Sequence, residues 1–368
     1  MNNKIRVAIL FGGKSAEHEV SLQSAKNVIE AIDKSKYEVV LIGIDKQGRW
    51  YLNEASNYLL HAESPKLIAL NKSNKNVALV TGSSGERELV SVNDHASFGS
   101  IDVVFPVLHG TYGEDGAIQG LLKLANVPFV GAGVLGSAVG MDKDVMKRLL
   151  RDAGIPNAHF QVFQRENKDQ INFELIRKQL GQPIFIKPAN LGSSVGIHKV
   201  ESLAQFENAV EDAFHYDNKI IVEEAIAGRE IECSVLGNED PIASMPGEIV
   251  PQHEFYSYEA KYIDEQGALL EIPAKLSDEI VKKVQELAVQ TFKVLCCEGM
   301  ARVDMFLTED QKLYVNELNS IPGFTKISMY PKLWEISGIP YSELIDRLIQ
   351  LAMARFNQEK ELKTAVEL

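Results

Sequence analysis

Short runs rich in Val, Ile, Leu and Phe alternate along this chain with stretches of helical spacing, and this alternation restricts the fold more than any other feature. A chain that keeps switching between the two periods packs its strands and helices in layers, which sets aside all-α and all-β folds in favour of α/β. The first cycle runs from a strand at Arg6 to Phe11, through a helix at Ser21 to Ile32, to a strand at Tyr37 to Ile44; Ile101 to Leu108 returns as a further buried strand. These predict a βαβ-type N-terminal domain. The stretch from Asn53 to Gly99 is polar and punctuated, with TGSSGERE at Thr81 to Glu88, and reads as a peripheral hairpin or loop insertion.

A length of 368 residues exceeds what one hydrophobic core usually organises. Three units are expected: an N-terminal α/β substrate domain over 1–125, a central domain over 126–219, and a C-terminal domain over 220–368. Hydrophobic residues at 45% and charged residues at 24%, with no apolar run of spanning length, describe a soluble chain that does not cross a membrane. The net charge of −13 argues against a nucleic-acid surface but leaves room for a local phosphate pocket. Three cysteines, Cys233, Cys296 and Cys297, allow neither a disulfide framework nor a spaced metal quartet. The start, MNNKIRVAILFGG, lacks a signal-peptide core and cleavage site, so a cytoplasmic location is expected.

Gly131, Gly133 and Gly136 in VGAGVLG match the spacing of a dinucleotide-binding fingerprint. That fingerprint also needs a second strand ending in an acid about 20 residues on. Here the pattern stays helical through Arg151, and Asp152 lies on that helix, stopped by Gly154 and Pro156. A glycine-rich strand-to-helix turn joining two domains is the better reading.

Two constellations carry chemistry. In PIFIKPANLGSSVGI, Lys187 ends a strand, and Gly192, Ser193, Ser194 and Gly196 form a short loop. Backbone N–H groups approach phosphate oxygens closely only where side chains are small, and the lysine adds a compact charge, so this is a candidate phosphate cradle. A plain surface hairpin of common turn residues explains it equally well. Downstream, ARVDMFL and LYVNELN, joined by TEDQK, predict an antiparallel hairpin. Period-2 alternation puts Glu317 and Asn319 on one face, within reach of Asp304 on the partner strand. Three oxygen donors with only two carboxylates suit Mg²⁺, which completes its shell with water and phosphate. Arg302 shares the face of Asp304, beside the position where a transferring phosphate or developing oxyanion needs a cation. A solvated charged face would not interleave these carboxylates with so many Val, Leu and Met residues.

With these motifs in view, the chain resembles the D-alanine–D-alanine ligases of the ATP-grasp superfamily over essentially its whole length. The matching segments, in order, are FGGKSAEHEVSL at Phe11, HGTYGEDG at His109, MDKD at Met141, KPANLGSSVG at Lys187, EAKY at Glu259, ARVD at Ala301 and NELNSIPGFT at Asn316. The resemblance implies three α/β domains in the ATP-grasp architecture, with ATP held between the central and C-terminal units. It implies the ATP-dependent joining of two D-alanine molecules through an acyl phosphate, for peptidoglycan precursor synthesis, and a homodimer. Lys143 and Lys187 resemble the lysines on the ATP phosphates, with Ser194 in the covering loop and Lys261 at the γ-phosphate. Glu223 and Glu230 would hold the adenosine. Asp304, Glu317 and Asn319 resemble the ligands of two Mg²⁺ ions, or Mn²⁺ in their place. Glu17 resembles the carboxylate that pairs with the first substrate's ammonium and joins Ser193 and Tyr262 in a triad that closes the site. Arg302 and the N–H of Gly323 resemble oxyanion stabilisers, Ser328 and the N–H of Met329 would hold the second carboxylate, and His109 would lie near the substrates.

Taken singly, several of these residues have plainer explanations. Glu17 could be the acidic start of a helix, His18 reads as surface, His109 as a satisfied histidine at a strand end, and Tyr262 as loop packing. The rival functions are a relative making D-alanyl-D-lactate or D-alanyl-D-serine, a different ATP-grasp carboxylate–amine ligase resembling glutathione synthetase, and a non-enzymatic nucleotide-binding module. The Glu17 motif speaks against the second. The set Asp304, Glu317, Asn319 and Arg302 speaks against the third.

Overall fold

The computed structural model describes residues 4–81, 87–251 and 268–363. Strand β1 (Ile5–Gly12) is followed by α1 (His18–Ala31), β2 (Tyr37–Ile44) and the short β3 (Trp50–Asn53). The insertion after β3 holds β4 (Leu59–Leu60) paired with β5 (Ala69–Leu70), and a separate sheet of β6 (Val77–Thr81), β7 (Arg87–Ser91) and β8 (Ser97–Ser100). The expected hairpin is therefore a small three-stranded sheet plus a two-residue ladder. β9 (Val103–Val107) then returns beside β1, giving the order β3-β2-β1-β9 with β1 parallel to both neighbours. Parallel strands are covered on both faces, which explains why β9, and β1 from Val7 onward, are apolar runs rather than alternating ones.

After β9 come α2 (Ala117–Leu124), α3 (Val134–Met141) and α4 (Lys143–Asp152). The helical pattern expected to run unbroken through Arg151 is interrupted at Asp142, whose extended backbone ends α3 and whose side chain accepts the Asp144 and Val145 N–H groups to cap α4. Asp142 competes with the helix for those donors, as short acidic side chains do. VGAGVLG is a strand-to-helix turn, as expected: Gly131 has φ +95°, and a Cβ on Gly136 would stand 2.4 Å from the Cys296 carbonyl oxygen.

A second sheet contains β10 (Phe160–Gln164), β11 (Ile184–Pro188), β12 (His198–Val200) and β13 (Lys219–Glu224), in the order β10-β13-β11-β12, with α5 (Phe173–Leu180) and α6 (Leu203–Tyr216) supplying its core. The boundary expected at residue 219 cuts through this sheet, because β13 pairs with both β10 and β11. The third sheet is built on β14 (Arg229–Gly237), flanked by β15 (Ile242–Ala243), β16 (Gly247–Pro251) and β17 (Ala268–Glu271) on one side and by β18 (Gly299–Leu307) and β19 (Leu313–Asn319) on the other, under α7 (Asp278–Val294).

The chain then leaves this sheet. Helix α8 (Met329–Ile336) and helix α9 (Tyr341–Lys360) bury Tyr330, Trp334, Leu344, Leu348 and Ile349 in one cluster with Val7, Ile9, Val103 and Phe105 of the first sheet. The unit expected over 220–368 is thus not self-contained, since its last two helices complete the N-terminal core.

Candidate functional site

The β18–β19 hairpin forms as predicted, and its register builds a row of acids. Glu232 on β14 stands opposite Asp304 on β18, and Asp304 opposite Glu317 on β19; on the next rung, Ser234, Arg302 and Asn319 line up in the same way. Like charges abreast on one face repel, so the row needs cations. Arg302 supplies one: its Nε and Nη2 donate to the two Asp304 oxygens at 2.7 Å each, and Nε lies 2.9 Å from Glu232. Asn319 donates from Nδ2 to Asp304 at 3.0 Å. Among the described residues no three His, Cys, Asp or Glu side chains group closely enough to hold an ion by themselves. The candidate donor set is two carboxylates and one amide, a sparse all-oxygen set that fits Mg²⁺ or Mn²⁺ completed by phosphate and water.

Facing this row across a cleft is Glu17, buried at the N-terminal end of α1. It makes no cap hydrogen bond there; instead it accepts the Ser193 hydroxyl from the central unit. Contact is close enough that a Cβ on Gly110 would overlap the Glu17 carboxylate, with Oε2 at 2.3 Å. Ser193 and Ser194 hold left-handed conformations at φ 55° and 58°, each at a cost of roughly 1–2 kcal/mol for a side-chain-bearing residue. Strain of this kind gathers where a loop must hold a ligand. The same cleft is lined by Gly323, Ser328 and Met329. Ser328 occupies the N-cap position of α8 without a capping hydrogen bond from its side chain, so the Met329 N–H belongs to a helix N-terminus, where a carboxylate is favoured. A Cβ on Gly323 would come within 2.7 Å of the Ser328 hydroxyl, so a larger residue there would push that side chain aside.

A second cleft shares Lys143, Leu191, Gly192 and Glu317 with the first and adds Lys187, Ser194, Glu223 and Glu230. Lys143 donates to the Leu191 carbonyl at 2.8 Å and lies 3.6 Å from Glu317. Lys187 pairs with Glu223, which Lys147 reaches from the other side at 3.0 Å. Burial alone would raise the Glu223 carboxyl, but the two ammonium groups outweigh it and hold it at about 2. Lys143 and Lys187 both line this cleft, where their compact ammonium groups can meet phosphate oxygens. The Glu223 side chain, expected to hold the adenosine, lines this cleft and pairs with both Lys147 and Lys187.

One expectation changes. His18, read as surface, is buried, with Nδ1 2.7 Å from the Gly13 carbonyl. His109 lines the first cleft, but both its ring nitrogens are turned into the protein, 2.9 Å from the Ile321 carbonyl and 2.9 Å from the Ser24 hydroxyl. Burial lowers its pKa to about 4, so it is neutral at physiological pH. Lys261 and Tyr262 lie outside the described residues.

The sequence reading also missed residues. Glu232 alternates with Glu230 on β14, a period-2 signal that was available. Glu114 was visible inside HGTYGEDG, but only one of its partners is local; its oxygens accept the N–H groups of Gly110 at 2.7 Å and of the distant Ile321 at 2.9 Å. Burial, reinforced by Glu317 and opposed by these N–H groups and Arg302, raises its pKa to about 7. Lys147, fully buried on α4, carried no motif at all.

Residues 6–132 match the family described as D-ala D-ala ligase N-terminus, and residues 149–350 match D-ala D-ala ligase C-terminus. A D-alanine–D-alanine ligase of Oceanobacillus iheyensis is 58% identical over 362 residues, covering 98% of this chain and 99% of the relative. The solved D-alanine–D-alanine ligase of Coxiella burnetii superposes with a TM-score of 0.81 at 39% identity, over 97% of this chain and 96% of the other. A D-Ala:D-Ser ligase of Enterococcus faecalis also gives 0.81, at 37% identity, over 95% of this chain and 100% of the other. Matched over both halves, the chain is a member of the D-alanine–D-alanine ligase family, with the ATP-grasp fold and the ATP use of that family.

Proposed function

We propose that the two adjoining clefts carry out the ATP-dependent ligation of two D-alanine molecules in two steps, with the residues above in distinct roles. In the first step a carboxylate oxygen of one D-alanine attacks the γ-phosphorus, the bond to the β-phosphate oxygen breaks, and ADP leaves behind an acyl phosphate. In the second, the amine of another D-alanine, having lost a proton, attacks the acyl carbon; the C–O bond breaks and phosphate departs. A free carboxylate is a poor acyl donor, so the acyl phosphate must form, and survive, out of contact with water.

Glu17 pairs with the ammonium of the first D-alanine while accepting the Ser193 hydroxyl, which ties substrate binding to the strained Ser193–Ser194 loop over the phosphates. Lys143 and Lys187 anchor phosphate oxygens, Ser194 adds a donor, and Glu223 and Glu230 on the same cleft hold the adenosine. Arg302 and the Gly323 N–H stabilise the oxyanion, and Ser328 with the Met329 N–H holds the second carboxylate. Asp304, Glu317 and Asn319 would hold Mg²⁺, or Mn²⁺, which when bound offsets charge on the β- and γ-phosphates. Lys261 and Tyr262 keep the γ-phosphate and triad roles that the family resemblance implies, and a homodimer rests on that resemblance alone.

The observation that carries this reading is the common wall of the two clefts. The cleft with Glu17, Arg302 and Gly323 meets the lysine-lined one at Lys143 and Glu317, so an acyl group and a γ-phosphate can meet there. The test is isotopic: D-alanine labelled with ¹⁸O in its carboxylate should transfer one label to the released phosphate in each turnover. Unlabelled phosphate would exclude the acyl phosphate.

A further inference from the structure

The turn that carries Gly323 belongs by sequence to the C-terminal unit, yet side chains of the N-terminal unit hold it. The Ile321 N–H donates to Glu114 at 2.9 Å, and the Ile321 carbonyl faces His109 Nδ1 at 2.9 Å. On the other side of Gly323, the Phe324 N–H donates to the Ser24 hydroxyl at 3.2 Å, and the Phe324 carbonyl accepts Asn27 Nδ2 at 3.0 Å. Ser24 is also 2.9 Å from His109 Nε2, which closes the circuit from Ile321 through His109 and Ser24 to Phe324.

The proton directions in that circuit are fixed. A carbonyl only accepts, so Nδ1 of His109 carries the hydrogen and Nε2 accepts. Ser24 must then donate its hydroxyl proton to Nε2, which leaves its oxygen lone pairs for the Phe324 N–H. Ser24 is 0% exposed and His109 4%, so water cannot substitute readily for either partner. The Thr325 N–H is taken by the Ser328 hydroxyl at 3.0 Å, and Pro322 has no N–H to give. Among the described residues, the Gly323 N–H donates to no acceptor, so every donor from Ile321 to Thr325 is committed except the one that lines the cleft.

We propose that Ser24, His109 and Glu114 are positioning residues that clamp the Ile321–Phe324 turn and so aim the Gly323 N–H at the oxyanion of the acyl-transfer step. This rests on the ligase reading and refines it, giving His109 a role through the turn rather than on the substrate. A donor displaced by about 1 Å costs about a hundredfold in rate.

The test compares Ser24→Ala, Ser24→Thr and Glu114→Gln with wild type in D-alanine-dependent phosphate release, ATP binding by calorimetry, and inhibition by a phosphinate analogue of the dipeptide that mimics the tetrahedral carbon. Ser24→Ala removes the Phe324 acceptor, and Glu114→Gln replaces one acceptor oxygen by a donor; each should lower kcat about a hundredfold. Both should weaken the phosphinate by a similar factor while ATP affinity stays within about twofold, and Ser24→Thr, which keeps the hydroxyl, should restore both. Unchanged kcat in the alanine and glutamine variants, or losses that follow ATP affinity instead of phosphinate affinity, would overturn the clamp while leaving the ligase reading intact. Should Glu114→Gln not fold, the Ser24 pair decides alone. A wild-type protein that releases no phosphate with D-alanine would overturn the ligase reading and this role together.

Discussion

At the scale of single residues, Arg302 is the most heavily used side chain in the site. It lies between Glu232 and Asp304, so the strands hold its guanidinium on the cleft wall before any substrate arrives. Preorganised charge of this kind is worth two to three orders of magnitude in rate. Arg302→Ala should therefore lower kcat on the order of a thousandfold, and a loss below about tenfold in steady-state kinetics would remove it from the oxyanion site. Asp304→Ala should weaken Mn²⁺ binding in the presence of ATP, followed by electron paramagnetic resonance; an unchanged titration would move the metal elsewhere. His109 gives a pH signature. Its folded pKa of about 4 lies below the ordinary 6.5, so the unfolded chain takes up a proton first as pH falls. The stability it contributes is complete above about pH 6.5 and is lost as pH drops towards 4, with a limit of roughly 3 kcal/mol for one such group. His109→Asn should flatten the dependence of Tm on pH across that window, and parallel wild-type and variant curves would contradict the assignment.

At the scale of elements, the candidate site combines mid-strand side chains, Arg302 and Asp304 on β18, with groups at element ends and loops such as Glu17, Lys143 and Ser193. Lys143 is the first residue of α4, and Asp142 fixes it there by capping the helix while binding Lys219 at 2.6 Å. Asp142→Ala should lower stability by about 1–2 kcal/mol for the cap and raise KM for ATP, because the Lys143 backbone is no longer anchored; a normal Tm and KM would refute the link. The β18–β19 hairpin could be read from sequence because alternation is a local signal that also dictates which side chains share a face. Glu17 and Ser193 were each ambiguous alone, one a possible helix start and the other a turn serine, and their contact spans 176 residues. No period in the sequence encodes such a contact. The same holds for Lys147, paired with Glu223 on β13, and for Glu114, which accepts the Ile321 N–H from the turn after β19.

At the scale of the whole molecule, the ends of the chain explain why the units do not separate at the expected residues. Helix α9 packs on the first sheet, and Arg355 on it donates to the carbonyls of Phe129 at 2.8 Å and Gly131 at 2.6 Å, fastening the turn between the N-terminal and central units. Nothing in the local sequence says that α9 covers the first sheet, and nothing says that β13 completes the second, so the boundary at 219 and the unit 220–368 differ from the structure for one reason: burial partners are not local. The consequence is a candidate catalytic cleft assembled from all three regions, with Glu17 from the first, Ser193 from the second and Arg302 from the third. D-alanine selectivity is then a property of the assembly, and the measurement that tests it most directly is phosphate release from ATP and Mg²⁺ with D-alanine alone, and with D-serine, D-lactate or L-alanine each added alone and beside limiting D-alanine. Robust release with D-alanine alone, little stimulated by the other three, is the predicted result. Release that needs D-serine or D-lactate as second partner, or none that depends on D-alanine, would contradict it.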